Sequence, residues 1–174
     1  MEFICKYNSP IGELTLESDG KNLTGLWFEN QQHYGNGLLK NYTEKDLPIF
    51  KQTKLWLDTY FQGKNPDFTP PLKTNGTVFR EKVWEILKTI PYGTTVTYGE
   101  IAKEIETARN MKKLSAQAVG GAVGHNPIGI IIPCHRVIGA SNNLTGYTGG
   151  LDKKVSLLEI EGVDTSLLHF TDKK

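Results

Sequence analysis

Between Ser9 and Glu29 the chain reads SPIGELTLESDGKNLTGLWFE, with Ile11, Leu14 and Leu16 before an Asp19-Gly20 turn and Leu23, Leu26 and Phe28 after it. Apolar and polar residues alternate on either side of the turn, which predicts antiparallel strands with one face buried. From Leu47 the period lengthens. Leu47, Phe50, Leu57 and Phe61 fall on one helical face, and Gly63 ends the helix. The segment KNPDFTPPLKTNG then carries three prolines and a terminal Asn-Gly. Such a segment predicts a linker, with a boundary near residue 75 between an N-terminal unit (1–75) and a C-terminal unit (76–174).

The second unit is mostly helical in pattern. FREKVWEILKTI places Phe79, Val83, Ile86, Leu87 and Ile90 on one face and stops at Pro91-Tyr92-Gly93. Thr97 and Glu100 have the spacing of a capping box, in which each side chain satisfies a free N–H of the other, and predict a helix over 97–106. Ser115 is a second good N-cap, for a helix over 115–124 that Asn126-Pro127 terminates. IGIIIP (128–133) is short and β-branched and predicts a buried strand. LDKKVSLLEIEG aligns Leu151, Val155 and Leu158, with Gly162 as terminator.

Composition narrows the class without naming a function. At 174 residues, with 38% hydrophobic and 22% charged residues, the chain has the make-up of a globular protein of one domain or two small ones. No window approaches the length of a membrane span, and the first residues lack the layout of a signal peptide, so a cytoplasmic protein with no membrane contact is expected. Cys5 and Cys134 have no CxxC spacing and the four histidines are scattered, so no metal site is expected, nor any cofactor. A net charge of +1 does not by itself predict a nucleic-acid partner. Residues 103–136 do carry a local excess of +3, which suits a phosphate-facing surface or a solvated loop equally.

Two features bear on chemistry. The helices at 97–106 and 115–124 suggest a helix-turn-helix. The second, with Ala116, Ala118, Gly120, Gly121 and Ala122, has almost no side-chain bulk, although mid-helix glycines cost about 1 kcal/mol each. Close packing would account for them; so would backbone approach to a DNA groove. The other feature is Pro133-Cys134-His135-Arg136, a nucleophile, a base and a cation in a row. Pro133 closes the predicted strand, and imidazole and guanidinium both favour a thiolate. Neighbours in an extended chain face opposite ways, so His135 would take the Cys134 proton through a bridging water, and Glu161 would orient its other nitrogen.

IPCHRVIG, preceded by AVGGAVGHNP and followed by GYTGGLDKKVSLLEIEG, resembles the O6-alkylguanine-DNA alkyltransferases, from VWEILKTIPYGTTVTYGEIA to Gly162 and more loosely at the N-terminal SPIGELTL. The resemblance implies an α+β protein: an N-terminal RNase H-like mixed domain and a mostly helical, winged-helix-like C-terminal domain bearing the helix-turn-helix. It implies a monomer acting on double-stranded DNA that contains O6-alkylguanine. On this resemblance the second helix would enter the minor groove through Ser115, Ala116, Gln117 and Gly120, and the damaged base would be flipped into a pocket. Cys134 would be the alkyl acceptor, His135 the water-mediated base and Glu161 the end of the chain. Asn126 would tie the recognition helix to the active-site strand. Tyr98 would rotate the nucleotide's phosphate and donate to the departing base. Tyr147, Thr148 and backbone groups around Val137 would line the guanine pocket, with Lys154 near the guanine oxygen. Arg136 is expected either at the DNA or on a carboxylate that holds the cysteine's loop.

The chain departs from that pattern. Gln117 stands where many members have an arginine that replaces the extruded base, and Gln lacks the charge and planar stacking of arginine. Gly129 stands where proline is common, which predicts a looser pocket wall. The zinc ligands of some relatives have no match beyond Cys5. Rival readings are an alkyltransferase-like protein that binds lesions without repairing them, a helix-turn-helix regulator and a thiol hydrolase. The first would replace Cys134, the second would leave the PCHR run unexplained, and the third would turn over continuously.

Overall fold

The structure, a computed structural model, describes residues 2–29, 31, 42–109, 114–144, 146, 147 and 150–170. Its N-terminal part is a four-stranded mixed sheet in the order β3-β2-β1-β4, formed by β1 (Glu2–Ser9), β2 (Gly12–Ser18), β3 (Leu23–Phe28) and β4 (Tyr42–Glu44). The β1-β2-β3 meander is antiparallel and β4 runs parallel to β1. The first strand lies upstream of the alternating stretch that announced the sheet. Leu14, Leu16, Leu26 and Phe28 are buried beneath α1 (Pro48–Phe61), whose inner face carries Phe50, Thr53, Trp56, Leu57 and Tyr60. Gly63 follows at φ 78°, a left-handed conformation that ends the helix at little cost for a residue without Cβ.

The segment expected as a linker is fastened to the sheet. Leu23 N–H donates to Pro71 O (2.8 Å) and Lys73 N–H to Leu23 O (2.9 Å), so residues 71–73 extend the outer edge of β3. The same edge continues at Leu26, which donates to Pro127 O (2.9 Å) and accepts from Gly129 N–H (3.0 Å). One strand therefore holds both the chain entering the C-terminal part and the segment that leads to Cys134.

The C-terminal part packs α2 (Val78–Leu87), α3 (Tyr98–Arg109) and α4 (Ala116–Gly124) around Val83, Leu87, Ile101, Ile105, Val119 and Ala122. The Trp84 indole N–H donates to Ala122 O (2.9 Å), which fixes α2 against α4. The helix starts are those read from the capping residues. Thr97 Oγ1 accepts from Glu100 N–H (3.0 Å) while Glu100 Oε2 accepts from Thr97 N–H (2.9 Å), and Ser115 Oγ accepts from Ala118 N–H (3.1 Å). Residues 110–113, between α3 and α4 in sequence, lie outside the described residues. Two strands of two residues each, β5 (Val96–Thr97) and β6 (Val137–Ile138), pair in parallel and put the start of α3 beside the chain that follows Cys134. β7 (Asn143–Leu144), α5 (Leu151–Ile160) and β8 (His169–Phe170) complete the fold, with Leu151, Val155 and Leu158 packed on Ile138 and Leu144. Among the described residues no helix is long and apolar enough to cross a membrane.

The capping box holds the first turn of α3 and with it Tyr98. Thr97→Ala removes one arm, and the unfolding free energy in urea is expected to fall by about 1 kcal/mol, whereas Thr97→Ser retains most of it.

Candidate active site

IGIIIP is not a strand. Ile128 makes one bridge to Leu26, after which residues 129–132 turn, with Ile130 at φ 67°. A β-branched residue in that conformation is an outlier costing about 1–2 kcal/mol, so its surroundings must impose it. They do so from both sides. Ile128, Ile130 and Ile132 are 1% exposed or less, and the Asn126 side chain spans the loop, its Nδ2 donating to Ile132 O (2.8 Å) and its Oδ1 accepting from Ile128 N–H (3.0 Å). The isoleucines signal burial, and residue type alone does not separate a buried turn from a buried strand. Gly129 is correspondingly not loose: it is buried and bonded to Leu26, where an added Cβ would meet the Leu26 oxygen at 3.3 Å.

Cys134, His135 and Arg136 form a turn of 3₁₀ helix, so they fan out around an axis and do not alternate across a strand. All three are buried. His135 Nε2 lies 2.5 Å from Glu161 Oε2, and Arg136 Nε donates to Glu161 Oε1 at 2.7 Å. Arg136 also donates through Nη1 to Ile90 O (2.7 Å) and lies over the Tyr92 ring (5.7 Å). Of the two places expected for Arg136 the structure gives the second and corrects the DNA contact: a buried residue bonded to a buried carboxylate and a carbonyl faces the interior and holds the cysteine's loop. Glu161 is the C-cap of α5, yet it too is buried. Beyond His135 and Arg136 it accepts from Gly93 N–H (2.9 Å) and from the Tyr60 hydroxyl (2.6 Å).

Burial alone would raise the Glu161 carboxyl. Hydrogen bonds from His135, Arg136 and Tyr60, with the attraction of His135, outweigh it and hold the group down at about 2. Burial pushes His135 below its ordinary value, helped by the charges of Arg136 and Lys154 and opposed by Glu161. Burial thus favours the neutral imidazole, whose Nε2 faces the carboxylate as the donor. Nδ1 is the accepting nitrogen, and among the described residues it has no hydrogen-bond partner. Burial also pushes the Cys134 thiol up, opposed by a hydrogen bond from Asn126, the charge of Lys154 and the backbone N–H groups of Cys134 and His135. Burial thus disfavours the charged form of both the thiol and the imidazole.

Cys134 opens onto a cleft of about 980 Å³ between α4, Tyr98 and Gly139, Ala140, Asn143, Gly146 and Tyr147. Its α4 side is formed by Ala116, Gln117, Gly120 and Gly121, and along the same helix Ser115, Ala116, Gln117, Ala118 and Gly121 are exposed. A Cβ at Gly121 would meet nothing within 4 Å, and one at Gly120 would touch the Tyr98 ring at 3.9 Å. Helix packing thus does not account for Gly121. Tyr147 lines the opposite wall, and burial raises its hydroxyl's pKa. Thr148 lies outside the described residues. Val137 does not reach the cleft: its side chain is in the core and its N–H is taken by Cys134 O, so Gly139 and Ala140 present that stretch of chain. Lys154 is wholly buried on α5, 3.5 Å from Gly146 O, and burial lowers it to about 8 against the pull of a Cys134 thiolate.

Sequence reasoning missed Tyr60. It shares the inner face of α1 with Phe50, Thr53 and Leu57, and a buried hydroxyl on such a face needs a partner that spacing cannot name. Among the described residues no group of three or more His, Cys, Asp or Glu side chains could hold a metal, and Cys5 lies on β1.

Residues 4–74 match the model of the 6-O-methylguanine DNA methyltransferase ribonuclease-like domain, and residues 78–163 that of the DNA-binding domain of the same family. The chain is similar to the methylated-DNA–protein-cysteine methyltransferase of Haemophilus influenzae, at 42% identity over 90% of this chain and 84% of that one. It is also similar to the protein of that name from Mycobacterium bovis, at 46% identity over 88% of each. Among solved structures, Mycobacterium tuberculosis O6-methylguanine methyltransferase superposes with a TM-score of 0.80 at 45% identity, covering 92% of this chain and 93% of that one. Mycobacterium tuberculosis OGT in complex with DNA gives 0.80 at 43%, covering 95% and 94%.

The low Glu161 pKa has a consequence for stability. A carboxyl held at about 2 when folded and 4.5 when free contributes stability that is complete above pH 4.5 and disappears as pH falls toward 2. The unfolding free energy should therefore decline over that interval by up to about 3 kcal/mol. In Glu161→Gln, measured by the same denaturant titrations, this step should be missing, and stability at neutral pH should be lower because Arg136 stays buried without its anion.

Proposed function

This chain belongs to the 6-O-methylguanine DNA methyltransferase family, and from that premise we propose that it repairs double-stranded DNA by moving the alkyl group of O6-alkylguanine irreversibly onto Cys134. The observation that carries this reading is the buried thiol at the base of a cleft bounded by a bare helix, next to an imidazole whose far nitrogen is held by a carboxylate. In this reading residues 76–174 bind DNA and react, and residues 1–75 support them. The protein acts as a cytoplasmic monomer.

The slim face of α4, with Ser115, Ala116, Gln117 and Gly120, lies in the minor groove, where bulkier side chains would hold the backbone away. A stacked guanine hides its reacting carbon, so the nucleotide is rotated out, past Tyr98, into the cleft lined by Tyr147 and the backbone after Val137. His135 Nδ1 takes the Cys134 proton through a water, and Glu161 stabilises the imidazolium. The buried Lys154 ammonium offsets the thiolate charge. Sγ then attacks the sp³ alkyl carbon, the carbon–O6 bond breaks, and its electron pair leaves with the guanine, which takes a proton from Tyr98. Asn126 keeps α4 and the Cys134 turn in register throughout. The product thioether has no carbonyl for water to attack, so each molecule reacts once.

After incubation with a duplex containing O6-methylguanine, intact mass spectrometry should show the gain of one methylene per chain with no further turnover. Cys134→Ser should gain none; an unchanged wild-type mass with the lesion intact would sink the reading. Gln117→Arg is expected to speed transfer from duplex DNA about fivefold, the effect of roughly 1 kcal/mol of added stacking. A rate no faster than wild type would show that Gln117 does not limit extrusion.

A further inference from the structure

We propose that Tyr60, on α1 in the N-terminal part of the chain, is a positioning residue for the thiol chemistry: it shares Glu161 Oε2 with His135 and so governs how readily His135 takes the Cys134 proton. The proposal rests on the alkyl-transfer reading above. It also gives the N-terminal unit a part in the chemistry beyond support.

The geometry is specific. Tyr60 is wholly buried, its Oη 2.6 Å from Glu161 Oε2 and 3.4 Å from His135 Nε2. Its ring cannot swing away. It is stacked on Trp56 (5.3 Å between centroids) and meets Phe61, Tyr92 and His135 edge-on at 5.4, 6.1 and 6.4 Å. Burial and the Glu161 charge keep the phenol protonated, so toward the carboxylate it is a permanent donor. Oε2 therefore receives two donors, and only the imidazole among them can change its proton count near neutral pH.

The direction of the effect follows from competition for that oxygen. While Tyr60 draws on the carboxylate charge, less remains to stabilise an imidazolium, and His135 stays neutral and able to accept. Without the hydroxyl the carboxylate serves His135 more fully, and the imidazolium persists to higher pH with Nδ1 occupied by a proton. The other groups that bear on the pair stay in place: Arg136 and Cys134 on the same turn, Tyr92 before Gly93, Lys154 on α5 and Tyr147 on the cleft wall.

Tyr60→Phe removes the donor and keeps the ring. Two readouts are taken on the full chain in a Cys5→Ser background, each from about pH 5.5 to about pH 9. One is single-turnover transfer from an O6-methylguanine duplex; the other is alkylation of Cys134 by iodoacetamide, which needs no DNA. The expected result is a loss of about tenfold near pH 6, the scale of one hydrogen bond to a charged group, converging to within about twofold of wild type near pH 8.5. The acid limb thus moves to higher pH in both readouts. Trp56→Phe disturbs the same stack but leaves the hydroxyl, and should leave the limb where it is. A loss of equal size at every pH, unchanged rates throughout, or the same limb shift in Trp56→Phe overturns the proposal. Failure of the wild type to take a methyl from the duplex defeats the alkyl-transfer reading instead, and iodoacetamide still decides the role of Tyr60.

Discussion

The Glu161 carboxylate is the point on which the site depends. A buried anion is tolerated only when every part of its charge is met, and here four donors meet it: Tyr60 from the N-terminal helix, Gly93 from the turn after α2, and His135 and Arg136 from the turn that carries Cys134. Its own position is the C-cap of α5. One carboxylate thus fixes four stretches of chain distant in sequence, and the imidazole orientation is a by-product of satisfying it. Arg136 belongs to this cluster as structure. Its charge offsets the carboxylate where His135, to act as a base, has to remain neutral.

The reactive turn is held as firmly from the opposite direction. The outer edge of β3 bonds residues 71–73 and 127–129, and Asn126 closes the loop from Ile128 to Ile132. Together they sustain the left-handed Ile130, a conformation that the residue would not adopt in isolation. The loop ends at a thiol whose surroundings disfavour its charge, while a cation and several N–H groups stand ready to receive that charge once it forms. Rigidity and latent polarity at one atom are what a single displacement at carbon requires.

Much of this was legible along the chain. Thr97 with Glu100, and Ser115, announced the starts of α3 and α4 because capping is local: donor and acceptor are three residues apart. The alternation after Ser9 disclosed the sheet and the spacing around Leu57 its covering helix. What failed was either ambiguous or remote. The isoleucines of IGIIIP report burial, and burial does not distinguish a turn from a strand. Arg136 beside Cys134 could face inward or outward until its carboxylate was located. Tyr60 reads as one more aromatic on a helix, and the atom that gives it meaning is 101 residues away. Local patterns reveal elements, whereas a site assembled from distant segments is visible only once they are packed.

The bare face of α4 carries a further consequence, for ions. Most of the affinity of proteins for duplex DNA comes from basic side chains that displace condensed counterions, which makes binding fall steeply as salt rises. The exposed positions Ser115, Ala116, Gln117, Ala118 and Gly121 hold no charge. Seated in a groove, this helix would liberate few cations of its own. Its hold on DNA would come from fit and from backbone and amide hydrogen bonds, contacts that ionic strength leaves largely untouched.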